Sequence, residues 1–154
     1  MLEYILKMLN DEDLINSIKD IFLYHELDID ENNLVYSYEG DTEREEIRNF
    51  YNNKTWEEVL ENKEFILGSH ISFLTPMAIA MYIPAFMIYC LKSPEDADIL
   101  ISFLIWFLLD KNSINHFYTQ KELEIFYSYL SCEQKKIIKK YIDYMCEKYP
   151  EDCS

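Results

Sequence analysis

Glycine is almost missing from this chain: Gly40 and Gly68 are its only two in 154 residues, where ordinary usage of about 7% would supply roughly eleven. A dinucleotide fingerprint needs three glycines within six positions and a P-loop needs two ahead of its lysine, so that backbone N–H groups can approach phosphate. Neither motif can be written with this sequence. Turn-rich sandwiches and barrels are disfavoured too, because tight hairpins call for glycine at positive φ. Arginine is as scarce, with Arg44 and Arg48 alone, and 14 basic residues face 29 acidic ones, a net charge of −15. Phosphate backbones and anionic membrane surfaces are bound by clustered Lys and Arg, so neither nucleic acid nor membrane is expected as a partner.

Long apolar runs are missing as well. Met77–Leu91 has 15 residues and Ile99–Leu109 has 11, the second interrupted by Ser102, and both fall short of the roughly 18 that span a bilayer. Met1–Asn10 lacks the basic, apolar and small-residue succession of a secretion signal. Cys90, Cys132, Cys146 and Cys153 make no C-x-x-C pair and no zinc spacing, so reduced thiols and a cytoplasmic location are expected. No cofactor motif is present.

What is there is a core and a set of helix starts. Hydrophobic residues make up 49% of the chain and aromatics 16%, enough to bury one sizeable core, and the length suits a single domain over 1–154. Ser or Thr followed three residues later by Glu or Gln satisfies two orphan N–H groups reciprocally. Thr42/Glu45, Thr55/Glu58, Thr119/Glu122 and Ser131/Gln134 all fit that box, while Thr75–Pro76 and Ser93–Pro94 place proline at a first helical position. An opening helix from about Glu3, renewed near Asn10, precedes them. The only stretch with strand character is Leu34–Tyr38. Met77–Leu91 and Ile99–Leu109 have no polar face and belong at the centre, Pro84 predicts a kink in the first of them, and Ile137, Ile138, Tyr141, Ile142 and Met145 line the inner face of a last amphipathic helix. The fold class is therefore all-α, a single-domain helical bundle around two apolar central helices at about 76–92 and 94–110, with at most one short strand or hairpin near 34–38.

Four segments together carry a resemblance: Ile21-Phe22-Leu23-Tyr24-His25-Glu26, Trp56-Glu57-Glu58-Val59, Phe73-Leu74-Thr75-Pro76-Met77-Ala78 with Tyr82-Ile83-Pro84-Ala85-Phe86-Met87, and Leu130-Ser131-Cys132-Glu133-Gln134. They resemble a family of small bacterial proteins classed as a domain of unknown function, over roughly Leu14 to Tyr149. The F-L-T-P-x-A…Y-x-P-A-F-M core is the most specific part. The resemblance implies one intact domain of bacterial or phage origin in the cytosol, and no activity.

The acidity is concentrated at the front, since residues 1–53 hold fourteen acids against four bases while 111–154 hold seven of each. Tyrosine combines apolar area with a polar tip and recurs at interface hot spots. Asp28, Asp30, Glu31, Tyr36, Tyr38, Glu39 and Asp41 are therefore the candidate partner-binding residues, expected to meet a basic protein in the manner of an immunity or inhibitor protein for a basic toxin or nuclease. A homodimer is left open. The alternative is a divalent-metal-binding regulatory domain or metal-dependent enzyme using the 28–39 loop. Read as a twelve-residue calcium loop, it puts oxygens at Asp28, Asp30, Asn32 and Glu39, and Asn33 where glycine makes the sharp turn. The helix break at Gly40-Asp41-Thr42 and the lack of a second loop argue against it, so no metal ligand is assigned. His25 and Glu26 fit a local turn-capping role better than chemistry, His70 and His116 stand alone, and Cys90 belongs in the core. No catalytic residue is identified.

Overall fold

The computed structural model describes residues 1–36, 41–66, 70–109 and 119–154, and for 3–9 the backbone only. The described residues are overwhelmingly helical and contain no sheet. The elements are α1 (Leu2–Ile21), α2 (Thr42–Tyr51), α3 (Trp56–Glu61), α4 (His70–Phe73), α5 (Pro76–Lys92), α6 (Pro94–Ala97), α7 (Ile99–Leu108), α8 (Gln120–Ser128), α9 (Cys132–Lys148) and α10 (Pro150–Cys153), with single 3₁₀ turns at Glu31–Asn33 and Lys63–Phe65.

The helix starts follow the local rules. Thr55/Glu58, Thr119/Glu122 and Ser131/Gln134 form complete capping boxes, and Thr75 caps α5 by accepting from Ala78 N–H ahead of Pro76. Thr42 is displaced by one position. Asp41 is the cap of α2 and its Oδ1 accepts from Arg44 N–H at 3.2 Å, because a carboxylate outcompetes a hydroxyl for N–H groups at the positive end of a helix. The renewal near Asn10 is absent, α1 running unbroken from Leu2 to Ile21.

Helix α5 is the axis of the molecule. Every residue from Ala78 to Leu91 is buried, with α1, α3, α7 and α8 packed around it. Its partner is split: α6 ends at Ala97, Asp98 turns the chain with φ of 46°, and α7 follows. Leu100, Ile101, Leu104, Ile105, Phe107 and Leu108 of α7 face inward, while Ile99 is exposed and Phe103 and Trp106 are half-buried, so α7 is a side layer with a wetted outer face. The last helix keeps Ile137, Ile138, Tyr141, Ile142 and Met145 inside and Lys135, Lys136, Lys139 and Lys140 outside. The strand character of 34–38 reduces to a single antiparallel bridge, Val35 to Leu74, with Tyr36 N–H donating to Phe73 O and Thr75 N–H to Leu34 O. Ser37 and Tyr38 lie outside the described residues.

Reduced thiols hold for buried Cys90 and exposed Cys132, but Cys146 and Cys153 are joined in a disulfide. On a continuous helix seven residues span about 10.5 Å, too far for a bridge. Here α9 ends at Lys148 and Pro150 starts a fresh turn, folding the chain back until the two Cα atoms are 5.6 Å apart.

The shortage of glycine has a structural counterpart at helix ends. Tyr24, Asn53 and Asp98 occupy positive-φ positions that glycine ordinarily takes. Polar tips of aromatic side chains reach the last carbonyls: Trp56 Nε1–H donates to Phe22 O at the end of α1 (3.1 Å), Tyr82 O–H to Tyr51 O at the end of α2 (2.8 Å), and Tyr127 O–H to Leu108 O at the end of α7 (3.2 Å). At Phe22 O and Tyr51 O the side chain adds a second donor to the backbone N–H of His25 and of Lys54, so carbonyls at helix ends use both lone pairs.

Candidate functional site

The front of the molecule is built on the segment that leaves α1. After Phe22 the chain turns through Tyr24 and runs irregularly to Leu34, burying Leu34 and Val35 while Glu26, Asp28, Asp30 and Glu31 stay exposed. What anchors it is His25. Pro84 has no N–H, so the carbonyl of Ala80 one turn earlier loses its helical donor, and the His25 ring Nε2–H supplies one at 2.8 Å. His25 Nδ1 lies 3.2 Å from Gln134 Nε2 and accepts from it. Gln134 Oε1 meanwhile accepts from Ser131 N–H in the capping box of α9. The helix proline, the front loop and the start of the last helix are thus tied through one neutral imidazole. Burial lowers the His25 pKa, opposed by its bond to the Ala80 carbonyl.

Asp30 and Glu31 share one turn. Asp30 Oδ1 accepts from Asn32 N–H at 3.0 Å and caps the 3₁₀ turn, and Glu31 Oε2 accepts from Asn52 Nδ2 at 3.1 Å, joining the loop to the end of α2. Asp28 lines a cleft of about 490 Å³ together with Glu26, Asn53, Lys54 and Tyr82. Glu26, Asp28, Asp30 and Glu31 form no ion pair among the described residues. The bases elsewhere are matched differently, with Lys148 to Asp11 at 3.2 Å and Arg44 to Asp41 at 3.3 Å.

Tyr36 and Asp41 are brought together by Arg44, whose Nη1–H donates to Tyr36 O at 3.1 Å while its Nε pairs with Asp41 and its plane covers the Phe73 ring. The Tyr36 hydroxyl donates to Glu122 Oε2, the same carboxylate whose Oε1 closes the cap of α8. Burial first, and then Glu122, pushes the Tyr36 pKa far up. Tyr36 is therefore a half-buried strut between front and back, and only part of its ring is offered outward. Tyr38 and Glu39 lie outside the described residues. Of the other aromatics at the front, Trp56 and Tyr51 are buried and serve the core.

The calcium-loop geometry does not form at its turn. Asn33 sits in the right-handed 3₁₀ turn of 31–33 and not among the positive-φ residues, where the sixth position of such a loop has a sharp left-handed bend. Among the described residues no group of three or more His, Cys, Asp or Glu could hold a metal ion, and no helix is long and apolar enough to cross a membrane.

Sequence reasoning weighed Glu26 beside Asp30 and missed Lys54 and Tyr82 as neighbours of the acidic loop. Tyr82 reaches across to donate to Tyr51 O and to Lys54 O, the second at 2.9 Å, and so walls the cleft from the α5 side. Its partner carbonyls lie about thirty residues away in the chain, and no local spacing signals them. His70 is a satisfied core histidine: Tyr51 O–H donates to its Nδ1 at 3.0 Å, and burial lowers its pKa to about 4. Cys90 is buried inside α5 and burial pushes its thiol up to about 12, which removes it as a nucleophile. His116 lies outside the described residues.

Neither the comparison with curated proteins nor that with solved structures gives a match. Residues 10–153, from the middle of α1 to the cysteine that closes the C-terminal disulfide, match the model described as Family of unknown function (DUF6714), and the chain belongs to that family.

Proposed function

We propose that this protein is a non-enzymatic binding domain whose acidic front engages a positively charged protein, in the manner of an immunity or inhibitor protein for a basic toxin or nuclease in the bacterial cytoplasm. One observation carries the reading: Glu26, Asp28, Asp30 and Glu31 stand exposed on one anchored loop beside a cleft, with Lys54 the one cation lining it and no ion pair to any of the four among the described residues. A fixed row of carboxylates in excess over nearby cations raises the local concentration of a basic surface and speeds its docking. The anchoring through His25 and the Asp30 cap lowers the ordering cost on binding. The mechanism is occlusion, the loop covering the cationic patch through which such a partner grips its own anionic target.

The test is affinity capture of basic proteins from the source cell at low and high salt. The wild-type chain is compared with an Asp28→Asn/Asp30→Asn/Glu31→Gln variant, in which the side-chain amide oxygen introduced at position 30 keeps the turn cap. The expected result is one basic partner, released as salt rises and lost at least tenfold with the variant, a change of about 1.4 kcal/mol. A partner indifferent to salt, or retained by the variant, overturns the reading.

A further inference from the structure

A second cleft, of about 530 Å³, opens between the end of α1, the α3 region and the end of α5, and shares no residue with the cleft beside Asp28. Three apolar side chains, Leu23, Trp56 and Leu60, line it together with three ammonium-bearing ones, Lys19, Lys63 and Lys92; Glu57 and Glu61 complete the wall. Lys19 and Lys92 stand in the last turns of α1 and α5, where the helix dipole favours a cation. That accounts for each lysine singly. It does not account for their sharing one cleft with Lys63, because like charges brought near one another repel. Partial burial, and then the charges of Lys19 and Lys63, lower the Lys92 pKa. Among the described residues none of the three has a carboxylate within 4.0 Å, whereas Lys148 and Lys136 each do. A chain carrying a charge of −15 has acids in plenty, yet Glu57 and Glu61 on the same wall offset only part of this trio's charge and pair directly with none of it.

We propose that this cleft binds a small organic anion, a phosphate monoester or a carboxylate with an apolar or aromatic body, its head held by Lys19, Lys63 and Lys92 and its body laid against Leu23 and Leu60, with the edge of the buried Trp56 indole behind them. The volume falls within the range of roughly 300–1,000 Å³ usual for small-molecule sites. Lysine serves as a point-charge partner for phosphate and carboxylate alike, which is why the head-group class is left to the experiment. Glu57 and Glu61 limit the cleft to a net single positive charge, which suits a compact anionic head, while their own carboxylates repel the further charges of an extended polyanion. The indole of Trp56 is held in place by its bond to Phe22 O, so the apolar wall is preformed.

The full chain is titrated with phenyl phosphate, benzoate and benzyl alcohol. Trp56 fluorescence is followed in a Trp106→Phe background, with calorimetry alongside. Saturable binding of one or both anions, and a loss of about tenfold in Lys19→Gln and in Lys92→Gln, the scale of one charge-assisted hydrogen bond, support the proposal. Phenyl phosphate binding tighter than benzoate identifies a phosphate ester, and the reverse order a carboxylate. Circular dichroism shows whether the variants fold, and Lys63→Gln replaces either one that does not. No saturation by either anion up to about 10 mM, equal binding of benzyl alcohol, or unchanged affinity in the lysine variants overturns it. The variant neutralised at Asp28, Asp30 and Glu31 is expected to bind these probes as the wild type does, so this result and that of the acidic front are read separately.

Discussion

Helix α5 meets two kinds of neighbour, and they are held to it by different chemistry. Toward the C-terminal half the contacts are mainly apolar, the Tyr127 hydroxyl on Leu108 O and the Tyr144 hydroxyl on Asp11 aside: Phe107 and Phe126 meet edge to face at 5.0 Å, Leu123 and Phe126 are buried, and Ile137, Ile138 and Met145 close the core behind them. Toward the front, side chains donate hydrogen bonds through the core, with Tyr82 to Tyr51 O and Lys54 O, Trp56 to Phe22 O, Tyr51 to His70 and His25 to Ala80 O. The reason lies in the backbone. Long helices satisfy their own N–H and C=O groups and need only cover their apolar faces, whereas short helices and loops leave carbonyls that must find donors elsewhere. The front is therefore specified by polar pairs and the back by shape, and the two should fail under different conditions.

Acid should separate them most. His70 is buried with its Nδ1 accepting from Tyr51, and its pKa lies at about 4 against an ordinary value near 6.5. The folded chain prefers the neutral ring, so between those two pH values the unfolded chain binds more protons, and stability present above pH 6.5 is lost as pH falls toward 4. The expected loss is about 2 kcal/mol between pH 7 and pH 5 and about 3 kcal/mol by pH 4. His25, lowered in the same direction, adds to it, because a protonated Nδ1 cannot accept from Gln134. Urea denaturation across pH 5–7 measures the slope, and a His70→Gln variant should flatten it. A slope unchanged in that variant would place the acid sensitivity elsewhere.

Removing one oxygen from either side gives the next contrast. Tyr82→Phe removes the hydroxyl from Lys54 O and leaves Tyr51 O with the Lys54 N–H alone, and should cost about 1–3 kcal/mol. Tyr141 is fully buried on the other side, and its hydroxyl finds no nitrogen or oxygen partner among the described residues, the Cys90 thiol being its polar neighbour. Tyr141→Phe should accordingly be neutral or slightly stabilising, since an apolar group replaces a poorly satisfied one. Thermal melts of the two variants compare them directly. Equal losses would mean that the polar pairs of the front carry no special weight.

The same contrast explains what could be read from sequence. The caps at Thr55, Thr75, Thr119 and Ser131 depend on residues three positions apart, and the burial of α5 depends on composition along one stretch, so both were legible. Asp41 displaced Thr42 by one residue because two competent caps stood side by side. The front was less legible because its bonds join distant positions: His25 to Ala80, Tyr36 to Glu122, Trp56 to Phe22. Asp28, Asp30 and Glu31 were found as acids, but that Tyr36 spends its hydroxyl on Glu122, or that Lys19, Lys63 and Lys92 line one cleft, follows only from the packing of separate helices. The disulfide escaped for a related reason. Its seven-residue spacing is a helical distance until Pro150 folds the chain back.

The smallest effect is also the most specific. If aromatic tips and strained non-glycine residues do the work that glycine does elsewhere, restoring glycine at such a position should help. Tyr24 is the cleanest place, since its φ is 62° and its side chain is 89% exposed, so little packing is lost with the ring. A non-glycine residue in the left-handed region is disfavoured by roughly 1–2 kcal/mol, and glycine returns part of that by making the unfolded chain more flexible. Tyr24→Gly should therefore raise stability by up to about 1 kcal/mol, read as a higher urea midpoint at unchanged slope. Asp98, which carries a positive φ at the α6–α7 turn, offers the parallel change on the apolar side. A gain at Asp98 and a loss at Tyr24 would show that the Tyr24 ring is needed where it stands, on the surface beside the His25 anchor, and would move the constraint on the front from backbone strain to a contact made outside the chain.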